Sequence, residues 1–111
     1  MISHGTWGDR EVLFQNLNCA VTLLTLNSKK RCSWHKHNTA FNLFYVVHGL
    51  LGIKTENGIS KIMEGQSFLV QPGIFHEFQT YEEKVVAIEI CYVEYNKEDI
   101  FRETLGGDLA K

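Results

Sequence analysis

The sequence of 111 residues has the length of one domain, and 44% of its residues are hydrophobic, which is enough for a packed core. The formal net charge is −2 and the longest basic run is Lys29-Lys30-Arg31, so we expect neither nucleic acid nor an anionic membrane as a partner. No apolar run reaches the roughly 18 residues of a membrane span, and the N-terminus lacks the residue order of a secretory signal. We therefore expect a cytoplasmic protein with a single domain over residues 1–111.

Cysteine usage argues against a disulfide framework. The chain has three cysteines, Cys19, Cys32 and Cys91, which is an odd number, and none of them forms a C-x-x-C pair. The same spacing argues against a zinc site made of thiolates. We expect each cysteine to be a small, buried apolar residue.

The pattern along the chain predicts short β-strands separated by polar or glycine-containing turns. Residues 1–9 show no periodicity and predict an irregular arm that Trp7 anchors. The predicted strands cover residues 11–15, 19–26, 31–36, 41–47, 50–55, 59–63, 66–71, 75–80 and 85–95. The pair Asn57-Gly58 between two of them is the strongest signal of a two-residue hairpin turn. Many short strands at regular spacing are typical of an antiparallel sandwich or barrel.

One helix is predicted near the end of the chain. Asn96 is a suitable N-cap, and residues 97–105 run to a stop at Gly106-Gly107. Further back, strand alternation over residues 41–47 points Asn42, Phe44 and Val46 inward and leaves apolar side chains on the outer face as well. Apolar residues on both faces favour a covered outer face, so we expect a homodimer.

Three histidines predict a metal site. His35 and His37 are two residues apart, so in a strand their side chains point to the same face about 7 Å apart at Cβ. His76 follows the Pro72-Gly73 turn, where a third imidazole can be aimed inward from the mouth of a sheet. Imidazole is a versatile ligand for divalent metals, and zinc is our first choice, with iron, manganese or nickel as alternatives.

These residues also carry a resemblance to the cupin superfamily. His35-x-His37, four residues, Asn42, six residues and Gly49 resemble the first cupin motif. Gly65, five residues, Gln71 and the run from Pro72 to His76 resemble the second. The resemblance extends to the cupin domain of type II mannose-6-phosphate isomerases through these further matches: Trp7-Gly8, Phe44-Tyr45-Val46-Val47, Ile88-Glu89-Ile90, Glu94-Tyr95 and the run from Glu98 to Arg102.

The resemblance implies an all-β fold, a cupin-type double-stranded β-helix or jelly-roll barrel, with a divalent metal inside. It also reveals departures. The first motif has a metal-binding glutamate where this chain has Asn42, and an amide supplies at most a neutral oxygen. Three roles for Asn42 are open: an amide ligand of the metal, a hydrogen-bond partner, or a remnant of the motif position without a role of its own. The isomerase-like proteins carry an arginine after the HxH pair and a lysine before Trp-Gly, where this chain has Asn38-Thr39 and Gly5.

Other residues are candidates for chemistry at this site. Glu89 lies in an apolar strand and is either a buried carboxylate that acts as general base or an edge residue that reaches water. Arg31 and Ser33 share the strand face of the two histidines and are candidates for substrate binding, with a rim location as the alternative. Asn42 and Phe44 are further substrate-binding candidates. His4 and His48 lack motif support, and we expect them at the surface.

Three functions are consistent with the sequence. The first is a metal-dependent, isomerase-like enzyme acting on a sugar or sugar phosphate, with Glu89 moving a proton between neighbouring carbons. The second is a three-His iron dioxygenase, which the loss of the glutamate favours. The third is a non-catalytic cupin that senses or binds a carbohydrate, which the missing charged residues favour. In each case we expect a small-molecule ligand, a carbohydrate in the first and third.

Overall fold

The computed structural model of the protein describes residues 2–94 and 108–109, and within them it contains β-strands but no helix. The strands are β1 (Ile2–Gly5), β2 (Gly8–Gln15), β3 (Cys19–Leu26), β4 (Phe41–His48), β5 (Leu51–Thr55), β6 (Gly58–Ile62), β7 (Ser67–Val70), β8 (Glu77–Thr80) and β9 (Val85–Tyr92). The helix predicted over residues 97–105 lies outside the described residues. In the described part of the chain, no helix is long and apolar enough to cross a membrane.

The strands form two antiparallel sheets. The larger sheet has the order β1-β2-β3-β9-β4-β7, and the smaller has the order β6-β5-β8. All pairs within them are antiparallel, so the predicted antiparallel all-β architecture is confirmed. The predicted hairpin is also present: Thr55 pairs with Gly58, which leaves Glu56 and Asn57 as its two-residue loop.

The core is built from the inner faces of the strands. The inner face of β4 is fully buried and consists of Asn42, Phe44 and Val46. Tyr45 and Val47 point to the opposite face and are exposed, as the alternation predicts. The buried hydrophobic residues come from both sheets: Leu24, Leu26, Phe44, Val46, Leu51, Ile53, Ile62, Val70, Phe78, Val85 and Ala87. The two sheets therefore enclose one shared core, and the polar inner residues next to it form the site described below.

The first nine residues are not an irregular arm, and that prediction was wrong. β1 and β2 form a hairpin in which Gly5 pairs with Gly8, and β2 pairs in turn with β3. Every residue of β1 is exposed, so the hairpin shows no apolar alternation that could have predicted it. Trp7 does anchor this region, because its ring packs edge-on against Phe78 with centroids 5.3 Å apart.

Residues 31–36 were predicted as a strand, but the structure gives them only two isolated bridges, Arg31 with Gln79 and His35 with His76. The two backbones still run antiparallel, since Cys32 donates its N–H to the carbonyl of Phe78 at 3.2 Å. Two residues separate Cys32 from His35, whereas only one separates Phe78 from His76. This extra residue interrupts the regular ladder just before the first predicted ligand.

Candidate metal centre

Two backbone segments hold the three histidines against each other. His35 N–H donates to the His76 carbonyl at 3.0 Å, and His76 N–H donates back to the His35 carbonyl at 2.7 Å. A third bond, from Gly73 N–H to the His37 carbonyl at 2.7 Å, fixes the turn before His76. Gly73 adopts φ of 82°, a conformation that glycine reaches without steric cost.

The imidazole rings converge as the spacing predicts. Ring centroids lie 5.3 Å apart for His35 and His37, 4.5 Å for His35 and His76, and 5.5 Å for His37 and His76. One ligand atom from each ring lies within 4.8 Å of the other two, so the three histidines could bind a metal ion together. His76 is fully buried, whereas His35 and His37 are half-buried and can be reached from a cavity.

In two of the three imidazole rings, a backbone carbonyl determines which nitrogen is free to bind a metal. Nδ1 of His35 lies 2.8 Å from the Ser33 carbonyl, and Nδ1 of His76 lies 2.9 Å from the Ile74 carbonyl. A carbonyl oxygen only accepts hydrogen bonds, so each Nδ1 carries a hydrogen and each Nε2 has a free lone pair. This is the outer support that metal-binding histidines usually have in proteins.

The electrostatics of His76 also suit a neutral ligand. Burial lowers the pKa of His76 below its usual value, and the neighbouring His35 and His37 lower it further. The Ile74 carbonyl and the Glu89 carboxylate act in the opposite direction but do not outweigh them. His76 therefore stays uncharged at neutral pH, which is the form that binds metals.

Asn42 lies at the centre of the cluster and is 1% exposed. Its Nδ2 donates to Oε2 of Glu89 at 3.1 Å and lies 3.5 Å from Nε2 of His37 and 3.4 Å from Nε2 of His76. Its Oδ1 is buried without a hydrogen-bond partner. The donor set of three imidazole nitrogens within 4.8 Å of one another is one that divalent metals accept, so the residues present are suited to a metal ion.

A cavity of about 590 Å³ opens in front of the histidines. Five of the predicted site residues line it: Arg31, Ser33, His35, His37 and Glu89. Glu89 is half-buried and accepts a hydrogen bond from Asn42, and its strand β9 is an interior strand of the larger sheet, so the alternative of an edge position was wrong. Its assignment as general base stays a prediction.

Asn42 and Phe44 are placed differently from the other substrate-binding candidates. Both are fully buried on the inner face of β4 and are not among the residues that line the cavity. The Phe44 ring packs against the His76 ring with centroids 6.2 Å apart. The contacts described for these two residues are thus with other site residues, and their binding of a substrate stays a prediction.

Arg10 was missed by the sequence analysis. It lies on β2 opposite Leu24, whose side chain is buried, and it lines the cavity together with Arg31. Neither arginine has an ion-pair partner among the described residues. Residues 8–15 show no apolar alternation that would have identified an inner face, so the position of Arg10 follows only from its pairing with Leu24. Two unpaired guanidinium groups therefore give this cavity a positive wall.

Cys32 also lines the cavity, but it is not suited to bind a metal. Its Sγ accepts a hydrogen bond from the backbone N–H of Phe78 at 3.1 Å. Burial is the main cause that raises its pKa to about 11, so the group remains a neutral thiol at physiological pH. All three cysteines are free, and each is half-buried rather than fully buried as expected. His4 and His48 are at the surface, as predicted.

Comparison with known proteins agrees with this geometry. The family model for the C-terminal domain of mannose-6-phosphate isomerase matches residues 2–104. The chain belongs to this family. Its predicted similarity to the cupin domain of that isomerase is thereby confirmed. None of the curated proteins matches the sequence.

Solved structures show the same cupin fold. An RmlC-like cupin from Shewanella frigidimarina is 21% identical with a TM-score of 0.73, covering 89% of this chain and 86% of that protein. KdgF from Halomonas sp. is 15% identical with a TM-score of 0.71, covering 78% and 81%. The cupin domain of Cnp3 from Schizosaccharomyces pombe is 11% identical with a TM-score of 0.72, covering 78% and 64%. The predicted double-stranded β-helix is thus confirmed.

Proposed function

We propose that this cupin binds a divalent metal ion, zinc first, through His35, His37 and His76, and isomerises a small sugar or sugar phosphate. The observation that supports this most is the convergence of three imidazole nitrogens within 4.8 Å of one another, beside a cavity that His35, His37 and Glu89 line. Zinc is preferred because it accepts nitrogen ligands in three-His catalytic sites and keeps a position open for substrate. Membership of the isomerase family supports the reaction class.

The chemistry follows from what each group can do. A bound ion would polarise the substrate carbonyl and its neighbouring hydroxyl, which makes the hydrogen on the carbon between them acidic. Glu89 removes that proton as a general base and returns it to the adjacent carbon, while the hydroxyl proton passes to the former carbonyl oxygen, so the aldose and ketose forms interconvert with no net gain or loss of atoms. The hydrogen bond from Asn42 holds the Glu89 carboxylate beside the histidine cluster.

Arg10 and Arg31 support an anionic substrate. Guanidinium groups bind phosphate and carboxylate oxygens through paired hydrogen bonds, and these two line the cavity without a partner among the described residues. A sugar phosphate or a sugar acid therefore fits better than a neutral sugar.

Hydrogen exchange at carbon tests the reaction. The zinc-loaded protein is incubated in deuterated water with aldose and ketose phosphates and with the corresponding sugar acids, and deuterium at the carbon next to the carbonyl is measured by NMR. We expect incorporation with at least one substrate, and loss of incorporation in Glu89→Gln at saturating zinc. Exchange with none of the compounds would rule out the isomerase. Binding without any turnover would favour the sensor or carbohydrate-binding function.

One observation favours a second candidate, a three-His iron dioxygenase. The ligand cluster consists of three histidines, and Asn42 occupies the position where the resemblance places a carboxylate ligand. The protein is loaded with Fe(II) without oxygen, and oxygen uptake is then followed with diketone and thiol substrates. Substrate-dependent uptake that the zinc-loaded protein lacks would support the dioxygenase, and its absence would exclude it.

A further inference from the structure

The contact between Asn42 and Glu89 joins two neighbouring strands at the candidate metal centre. In the pairing of β4 with β9, Phe44 lies opposite Glu89 and Asn42 lies opposite Cys91, so Asn42 and Glu89 are diagonal neighbours on the same inner face. The amide nitrogen of Asn42 touches the Glu89 carboxylate on one side and approaches two imidazoles on the other. Glu89 is therefore one side chain away from the histidine cluster.

Electrostatic repulsion disfavours carboxylates at both position 42 and position 89. Within the described residues, Glu89 has no Lys or Arg partner within ion-pair distance. A carboxylate at position 42, in the place of the amide that now donates to Glu89 at 3.1 Å, would put two negative groups in contact. Two like charges at that separation repel each other strongly. An amide at position 42 avoids this repulsion and instead donates a hydrogen bond to Glu89.

We propose that Glu89 supplies the negative charge that balances the bound ion, replacing the carboxylate that the cupin resemblance places at position 42. Asn42 is then a positioning residue, which keeps the displaced charge beside the three histidines through its hydrogen bond. The charge has moved from β4 to the adjacent strand β9, and the histidine ligands are unchanged. This inference rests on the proposed metal binding at His35, His37 and His76.

The proposal predicts a specific coupling between the two positions. If Glu89 is the compensating charge, Glu89→Gln weakens metal binding when residue 42 is Asn, because the site then has no carboxylate. The same substitution has little effect when residue 42 is Glu, because that side chain restores the charge. If Glu89 is only a structural acceptor for Asn42, the two substitutions act on metal affinity independently.

A double-mutant cycle tests this without reference to catalysis. Zinc affinity is measured by competition with a chelating dye for the parent, Asn42→Glu, Glu89→Gln and the double variant. We expect Glu89→Gln alone to weaken zinc binding by about tenfold, the lower end of the loss caused by removing a supporting residue. In the Asn42→Glu background we expect it to change affinity by less than about twofold, the scatter of unrelated sites. Glu64→Gln, an exposed carboxylate, controls for the change in net charge.

Two results would overturn the proposal. Equal effects of Glu89→Gln in both backgrounds would show that the sites are independent, and a Glu89→Gln protein with parental zinc affinity would show that Glu89 does not balance the ion. If the parent itself binds no zinc, iron, manganese or nickel, the proposed metal function fails and this inference fails with it. Thermal melts verify that each variant is folded, and Asn42→Asp, the shorter carboxylate, replaces Asn42→Glu if that variant does not fold.

Discussion

His35 and His76 exchange a pair of backbone hydrogen bonds, 3.0 and 2.7 Å long, that make them directly opposed residues of an isolated antiparallel bridge. Their imidazole rings consequently lie 4.5 Å apart at the centroids. The two segments that carry the ligands thus position each other through main-chain contacts. Rings held in this way need no rearrangement to take part in the proposed metal binding, which is therefore preorganised.

The first prediction concerns the ligands themselves. His76→Ala removes one of three converging nitrogens, and we expect zinc affinity to fall by more than about 100-fold, the upper end of the loss caused by a supporting residue. His35→Ala and His37→Ala are expected to have similar effects. Elemental analysis of untagged protein and calorimetric titration measure this. His4→Ala and His48→Ala, which change exposed histidines, are the controls. A His76→Ala protein with parental zinc content would contradict the proposed site.

The second prediction concerns two glycines with positive φ, one of which contacts the histidine segment and one of which does not. Gly73 and Gly65 have φ of 82° and 80°, and a Cβ added to either would meet nothing within 4 Å. Replacing either with Ala forces a side chain into a left-handed conformation, which we expect to cost about 1 kcal/mol of unfolding free energy. Only Gly73→Ala should also weaken zinc binding, because backbone strain at residue 73 would displace the N–H that donates to the His37 carbonyl. Urea unfolding of the chelator-treated variants and zinc titration are the measurements, and equal zinc affinities would refute this role of Gly73.

The third prediction concerns the outer face of the large sheet, which we propose forms the interface of a homodimer. Two rows of uncharged side chains cross this face: Leu23, Ile88 and Tyr45 in one, and Val21, Ile90, Leu43 and Leu69 in the other. Tyr45 is 40% exposed and Leu69 is 42% exposed, which is unusual in such a continuous apolar surface on a monomer. In a two-fold dimer the same face of both copies meets, so this uncharged face packs against its own copy.

Sedimentation velocity over a range of concentrations tests the dimer. We expect the parent to be a dimer and the double variant Tyr45→Lys, Leu69→Lys to be a folded monomer, because four lysines would meet across a two-fold axis. Ile59→Lys changes an equally exposed residue of the other sheet and should leave the dimer intact. If the parent protein remains monomeric at every concentration, the proposed interface is ruled out.

The fourth prediction is a pH dependence of stability in the chelator-treated protein. Because burial lowers the pKa of His76, the unfolded chain takes up a proton near pH 6.5 while the folded chain takes it up only at lower pH. The contribution of His76 to stability is therefore present above pH 6.5 and is lost as the pH falls through that value. Urea unfolding at about pH 7.5, 6.5 and 5.5 measures it. His76→Gln should flatten the dependence, and identical slopes in both proteins would show that His76 does not cause it.

Much of the fold could be predicted because its signals are local. The turn residues and the alternation of inward and outward side chains were sufficient to predict the antiparallel sheets, including the Thr55–Gly58 hairpin. The three histidines could be predicted because His35 and His37 keep their common orientation in an irregular segment. That segment is still held to its neighbour by two isolated bridges, so losing the regular ladder did not turn either ring away.

The features that the sequence did not predict depend on pairing between distant residues. β1 has no buried side chain, so only its partner β2 makes it a strand. The inward position of Arg10 follows from its register against Leu24, which is a long-range contact. The same holds for the bond between Asn42 and Glu89, since these residues are 47 positions apart in the chain. Local periodicity has no information about which strands become neighbours.

The histidines and part of the cavity wall come from different segments of the chain, and this separation affects how relatives of this protein can diverge. The three histidines of the proposed metal site belong to two segments that hydrogen-bond to each other, whereas Trp7 and Arg10 line the cavity from the hairpin β1–β2 at the edge of the sheet. Replacements in that hairpin can reshape the entrance while the histidines keep their places. Under the proposed function, substrate preference and ion chemistry can therefore evolve separately in this fold.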